Sequence, residues 1–405
     1  MSLSRPAHEP QPVGRLSLSR PADQQSIRRH NLSLIARTVR DAPGSRAELA
    51  QRTGLTKATV SSLVDSLLAQ DILTEGQPAP ARVGRPARPV SLNPAGPVAV
   101  GLEINVDYLA GCRMDLGGGV QARCQLAVDN QRRTPVAVLD QLGRLATELI
   151  PAGRPLLGVA LALPGVVGAD RQLLRAPNLP RLTGQPLAEQ LGQRLPTGSL
   201  LSDDPVLIDN EANFGALGWL RSASAARDFV YVSGEIGVGA GLVVNGALFR
   251  GAAGFAGELG HVVVERDGPP CGCGGRGCVE QYAGLQVLLA RSGQPDLAAL
   301  LTALGAGDRP ALAAVTAAGA ALGVGLASLL NVMDLPAVVL GGVYAALFEP
   351  ITPSLRAELD RRVLSGTAIE LTRSGLGTEA AVLGAAGAVV ERALADPAAL
   401  VRPVG

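Results

Sequence analysis

The sequence predicts an α/β body preceded by a small helical module, and three observations carry that reading. From Pro97 onward, strand-like and helical segments alternate. Before it, three helical patterns follow one another, separated by Pro43-Gly44 and by Gly54. Charge divides at the same place: through Pro94 there are thirteen Lys or Arg against seven acids, a net +6, which leaves −5 on the remainder. A basic module on an acidic body points to a nucleic-acid partner for that module.

A chain of 405 residues allows two or three domains, and 47% hydrophobic content supplies their cores. Aromatics make up only 2%, so those cores are built from Ala, Val and Leu. The opening MSLSRPAHEP lacks the apolar run of a secretory leader. The longest apolar region, 317–348, is broken by Asn331 and Asp334 and reads as a buried helix and strand. The expectation is a soluble, cytoplasmic protein without a membrane partner.

Residues 1–25 repeat SLSRPA and show no apolar period, which predicts a disordered tail. In Ile27–Asp41, Leu32, Leu34, Ile35 and Val39 fall near helical spacing. Ser45-Arg46-Ala47-Glu48 is a capping box, and the helix it opens stops at Gly54. Thr56 caps a third helix to about Gln70, with Val60, Leu63, Val64, Leu67 and Leu68 as its buried stripe. Helix, tight turn, helix is the plan by which a recognition helix enters the major groove. Arg46, Thr56, Lys57, Thr59, Ser61 and Ser62 are therefore candidate DNA contacts; Lys57 is the only lysine of the chain. Ile72–Thr74 and Val90–Leu92 then read as two strands around a tip carrying Arg82, Arg85 and Arg88. Such a wing suits phosphates or the minor groove, the plain alternative being a basic linker.

In the body, Val98–Ile104, Leu109–Met114 and Leu156–Leu163 read as strands and Val136–Leu149 as a helix. Asp203–Ile208 leads into Asp209-Asn210-Glu211-Ala212-Asn213, a polar strand-to-helix junction of the kind that holds ligands. Ser233–Gly241 is glycine-rich and fits either a phosphate cradle or a tight hairpin. Within Gly257–Glu280 stand His261, Cys271, Cys273 and Cys278, tetrahedral zinc ligand types at metal-site spacing. Free thiols beside a core histidine are the alternative. Glu258 and Glu280 bracket this set without being needed to complete it.

These motifs together resemble the ROK family of repressors and sugar kinases. The segments that carry the resemblance are GELGH followed by CGCGGRGCVEQYAG, ALPGVV at 162–167, APNLP at 176–180, GALFRGAAGFAGELGH at 246–261 and VVLGGV at 338–343. LGTEAAVLGAAGAV near the C-terminus also matches, so the likeness extends from about Arg28 onward. The resemblance implies a two-lobed body of the actin/hexokinase, ribonuclease H-like type with a monosaccharide between the lobes. It also identifies the N-terminal module with the winged helix-turn-helix of the family's repressors. The expected division is a tail (1–25), a DNA-binding domain (26–94), a first lobe (95–215 with 379–397) and a second lobe with the zinc knuckle (216–378). By the same resemblance, His261, Cys271, Cys273 and Cys278 hold a structural Zn2+. Glu258, His261, Glu280, Gly165, Asn178, Asn210 and Glu211 meet the sugar.

Three departures separate the chain from the family's kinases. Their catalytic aspartate is matched by Glu211, and one methylene moves a carboxylate by roughly 1 Å, enough to matter for a near-attack geometry. The phosphate turn Asp-x-Gly-Gly-Thr is matched by Glu103-Ile104-Asn105-Val106-Asp107, without glycine. Glu235 adds an anion in the second phosphate loop. The expectation is a repressor of carbohydrate genes with no catalytic residues, binding double-stranded operator DNA as a homodimer or homotetramer and released by a small carbohydrate effector. The alternative is an ATP-dependent sugar kinase with an appended DNA-binding domain; a third reading replaces the sugar by a protein partner.

Overall fold

The computed structural model describes residues 23–77, 88–196, 199–201, 206–222, 226–364, 366 and 368–400. The tail through Ala22, and Arg82 and Arg85 of the expected wing tip, lie outside these residues. The first helix starts earlier than its apolar period suggests, at Gln24, because the Asp23 carboxylate caps it by accepting from the Ser26 N–H (2.6 Å).

The N-terminal module holds α1 (Gln24–Asp41), α2 (Arg46–Thr53) and α3 (Lys57–Leu68). The capping box closes in full: Glu48 N–H donates to Ser45 Oγ, and Ser45 N–H donates to the Glu48 carboxylate (2.7 Å). Gly54 ends α2 in the left-handed region, and Thr56 caps α3. Leu32, Ile35, Leu49, Val60, Leu63 and Leu67 are buried together. Behind them β1 (Leu73–Glu75) pairs antiparallel with β2 (Val90–Leu92), Leu73 opposite Leu92. This is a winged helix-turn-helix.

The body contains two five-stranded sheets. The first has the order β5-β4-β3-β6-β9, from β3 (Val98–Ile104), β4 (Tyr108–Asp115), β5 (Val120–Ala127), β6 (Leu156–Leu163) and β9 (Val206–Asn210). Both β3 and β6 are buried along their full lengths. Helix α4 (Pro135–Leu149) covers one face. A small hairpin, β7 (Val166–Val167) with β8 (Leu173–Arg175), and α5 (Leu187–Gly192) lie between β6 and β9. From the end of β9 the chain turns directly into α6 (Glu211–Ser222).

The second sheet has the order β12-β11-β10-β13-β14. It comprises β10 (Phe229–Gly234), β11 (Val238–Val244), β12 (Ala247–Phe249), β13 (Ala337–Gly341) and β14 (Glu370–Arg373). The glycine-rich 233–241 stretch is a tight hairpin: Gly234 pairs with Val238, leaving 235–237 as the turn. Helices α7 (Glu280–Ala283), α8 (Leu285–Ser292), α9 (Leu297–Gly305), α10 (Arg309–Met333), α11 (Gly342–Ala346) and α12 (Phe348–Arg362) complete this side. By length and composition α10 would span a membrane, but Ala314, Val315, Ala318, Leu322 and Leu326 are buried against α12 and the sheet, as in a core helix.

Helix α13 (Ala380–Ala395) returns to the first sheet and packs between it and α6. The two helices meet so closely that a side chain at Gly384 would place its first carbon 1.7 Å from the Phe214 carbonyl. The C-terminal half of α13 also carries the DNA-binding module. Ser33 Oγ donates to the Leu394 carbonyl (2.9 Å), Arg29 pairs with Asp396, and Arg40 pairs with Glu391 (2.7 Å).

Candidate functional site

The knuckle forms because glycines let the chain turn where side chains cannot. Gly277 has φ +65°, and a first side-chain carbon there would lie 1.6 Å from the Glu265 carbonyl. Cys271 N–H donates to the Gly275 carbonyl (2.9 Å), and Gly277 N–H to that of Pro269 (2.8 Å). Ligand atoms of His261, Cys271, Cys273 and Cys278 then lie within 4.8 Å of one another. The Cys273 and Cys278 sulfurs are 3.7 Å apart, and Cys271 Sγ is 3.7 Å from His261 Nδ1. A tetrahedral ion with Zn–S bonds of about 2.3 Å places two sulfurs close to that distance apart. The donor set therefore fits a metal ion.

Two residues not singled out by sequence spacing steady this centre. Gly275 N–H donates to Cys273 Sγ (3.3 Å) and holds that thiol below its ordinary pKa. Arg175, at the end of β8, donates to the carbonyls of Gly272 (2.8 Å) and Cys273 (3.3 Å). The hairpin beside the first sheet is thereby tied to the knuckle of the second.

A cavity of about 190 Å³ lies beside the knuckle, lined by Gly165, Asn178, Asn210, Glu211, Glu258, His261 and Glu280. All seven residues expected at a sugar thus face one space, smaller than the ~300–1,000 Å³ of drug-sized ligand sites. With His261 Nδ1 toward the cysteines, Nε2 stands 4.0 Å from the Glu258 carboxylate. Burial raises the Glu258 pKa; His261 opposes this and Glu280 adds to it. Glu280 begins α7 two residues after Cys278 and accepts from the Val238 N–H (3.3 Å). Asn210 is engaged within the wall: its amide donates to the Gly165 carbonyl (2.8 Å), and its oxygen caps α6 at the Ala212 N–H (2.8 Å). Asp209, buried beside it, accepts from Asn213 (2.8 Å) and pairs with Arg171 (3.3 Å) and Arg250.

Behind the cavity, Glu103, Glu211 and Glu235 converge on a crevice of about 10 Å³, room for one water at most. Tyr108 donates to Glu103 (2.8 Å), and Asn105 donates to the Tyr108 hydroxyl (3.0 Å). Burial pushes Glu103 up to about 7 against those hydrogen bonds. Burial, reinforced by Glu103 and Asp107, pushes Glu235 up to about 8. Burial and the neighbouring Glu235 and Glu103 also raise Glu211 well above its ordinary value. One oxygen of Glu103 and one of Glu211 are buried without a hydrogen-bond partner among the described residues.

The model of the ROK family matches residues 99–392. The chain belongs to the ROK family. It is 31% identical over 387 residues to the xylose repressor of Bacillus subtilis (strain 168), covering 92% of this chain and 98% of that protein. A ROK family transcriptional regulator, a homologue of the E. coli MLC protein, superposes with a TM-score of 0.75 at 21% identity, over 93% of this chain and 99% of the other. A ROK family glucokinase from Streptomyces griseus, solved with glucose and AMPPNP, reaches 0.60 at 26% identity, over 71% of this chain and 98% of the other. The longer matches include the N-terminal module that precedes the ROK body.

In that module, Lys57 and Ser62 are exposed on α3, with Thr59 and Ser61 half-buried beside them. Thr56 Oγ1 accepts from the Thr59 N–H (3.2 Å). Arg46 is turned inward: it pairs with Asp65 (2.7 Å) and Glu75 (2.8 Å), tying α2 to α3 and the wing. Arg88 is exposed, 3.9 Å from the same Glu75.

Proposed function

We propose that the chain is a DNA-binding transcriptional repressor whose operator affinity is set by a small carbohydrate in the cleft of the ROK body. The observation that carries this reading is the convergence of the seven cleft residues in one cavity, on a chain that also holds the helices and wing strands of a winged helix-turn-helix. Similarity to a xylose repressor over nearly the whole chain supports the same assignment and makes aldoses the first class to test. Glu258, Glu280 and the Nε2 edge of His261 supply donors and acceptors for vicinal hydroxyls. Asn210 acts by holding the Gly165 wall and the α6 terminus, since its amide is already engaged.

The metal is a structural Zn2+. Three sulfurs and one imidazole nitrogen suit zinc and leave no open position for chemistry. Its role is to brace His261 and, two residues beyond Cys278, Glu280. The lobes divide as 95–215 with 379–397, and 216–378. Helix α6 is the coupling element between cleft and DNA. It starts at Glu211 in the cleft wall, and near its end Arg221 donates to Glu391 (2.6 Å), the carboxylate shared with Arg40 of α1. Sugar binding shifts lobe closure, moves this junction and weakens operator binding by a homodimer or homotetramer.

The chain is not a kinase in this reading. Two buried carboxylates, Glu103 and Glu235, stand where the resemblance puts ATP phosphates, and the crevice they share with Glu211 has no room for a polyphosphate. A thermal-shift screen of free and phosphorylated sugars tests the assignment. A concentration-dependent rise in Tm with a free aldose is expected, while steady ADP release in a coupled assay with ATP and a sugar would overturn it.

A further inference from the structure

A second, larger cavity lies at the junction of the DNA-binding module with the body, at the α1 end of α6. Its volume is about 1010 Å³, at the top of the range for small-molecule sites. Four arginines reach it from helices: Arg37 and Arg40 of α1, Arg221 of α6 and Arg392 of α13. Arg171, Arg227 and Arg250 come from the surrounding loops. Among the described residues that line the cavity, Glu391 is the only acid.

Among the described residues, two of these guanidinium groups, Arg37 and Arg227, have no carboxylate partner. Arg40 and Arg221 share the Glu391 carboxylate, at 2.7 and 2.6 Å, and Arg40 also pairs with Asp41 (3.3 Å). Arg171 and Arg250 share Asp209. Arg227 donates only to a carbonyl, that of Asn245 (3.2 Å), and Arg37 has no ion pair or hydrogen bond among the described residues. Guanidinium groups present several fixed donors in a plane and match phosphate oxygens in pairs. The remaining lining is apolar, with Leu207, Phe214, Leu217 and Leu220.

We propose that this cavity is a binding site for a small phosphorylated metabolite, a second effector site separate from the sugar cleft. Paired guanidinium groups take the phosphate oxygens, and the apolar residues take the carbon skeleton. A concave space of this volume suits a compact anion better than the convex ridge of a DNA backbone. The N-terminal tail carries Arg5, Arg15 and Arg20 against Glu9, so it does not supply the missing negative charge. A bound anion would contact Arg37 and Arg40 of α1 together with Arg221 of α6. It would therefore hold the DNA-binding module in one position on the body.

The test uses the full chain and inorganic pyrophosphate, titrated by calorimetry and thermal shift at constant ionic strength. The comparison is the double variant Arg37→Ser with Arg227→Ser, two exposed positions outside the cleft and the knuckle. Saturable binding to the native chain is expected, weakened at least about tenfold in the variant, whose Tm without ligand is unchanged. Absence of saturable binding, or equal binding by both proteins, overturns the proposal. So does a reduced salt dependence of duplex-DNA binding in the variant, which would make these arginines backbone contacts. The sugar-induced Tm rise is measured in the same variant and is expected to persist. Its loss from the native chain would count against the repressor reading instead, so the two failures are told apart.

Discussion

At the residue scale, the knuckle and the buried glutamates make opposite demands. The cysteines fit a cation, and on the proposed zinc assignment Cys273→Ser should lower bound zinc from one ion per chain, measured by atomic emission, and lower Tm by several degrees. Sugar binding should fall with it, because His261 and Glu280 lose their brace. The glutamates need protons. Glu103 and Glu235 titrate in the folded chain near 7 and 8, above the ordinary 4.5 of the unfolded chain. Between those values the folded state holds protons that the unfolded state has released, so stability falls as pH rises through that window. Tm should therefore decline from pH 5.5 to 8.5 by the equivalent of roughly 1–3 kcal/mol, and Glu235→Gln should flatten the curve. A flat native profile would show that these carboxyls are not buried as protonated acids.

The metal set was legible in the chain because cysteine and histidine are scarce and their chemistry is local: three cysteines fall within eight residues, beside the only histidine outside the N-terminal segment. Arg175 and Glu391 were not legible as functional residues, and Asp209 was legible as part of a polar junction but not as the partner of Arg250. Each acts on partners dozens to hundreds of positions away, such as Arg250, Gly272 and Arg40, and single-chain spacing carries no signal for such pairs.

At the element scale, caps and periodicity located α2, α3 and the wing strands closely, since a capping box and an i, i+3, i+4 stripe are local properties. Orientation of side chains on those elements was another matter. Arg46 reads as a DNA contact in sequence, yet its guanidinium is held between Asp65 and Glu75. Arg46→Ala should destabilise the module by about 1–2 kcal/mol, seen as an early unfolding step. Lys57→Ala should leave stability unchanged, weaken binding to all duplexes alike and reduce the salt slope by about one. Helix α6 makes a further prediction. Glu391→Gln loosens its link to α1, so sugar affinity should stay within about threefold while the sugar's effect on DNA affinity shrinks severalfold. Equal losses in both would place Glu391 in the fold of the cleft rather than in the coupling.

At the scale of the whole molecule, the architecture sets two lobes around a small polar cavity and joins the DNA-binding module to the body through α13. The alternation of strands and helices announced an α/β body, but the sheet orders and the return of α13 to the first sheet follow from non-local pairing. That return matters for function: one helix packs on α6, which begins in the cleft wall, and carries α1. The central claim is that occupancy of the cleft changes the grip on DNA. The most direct measurement is fluorescence anisotropy of a duplex selected by the protein from random sequence, titrated at fixed salt with and without saturating aldoses. The account predicts that at least one free aldose weakens binding about tenfold or more, and that Glu258→Gln abolishes the effect while leaving sugar-free affinity intact. Unchanged DNA affinity with every sugar that raises the Tm would contradict it.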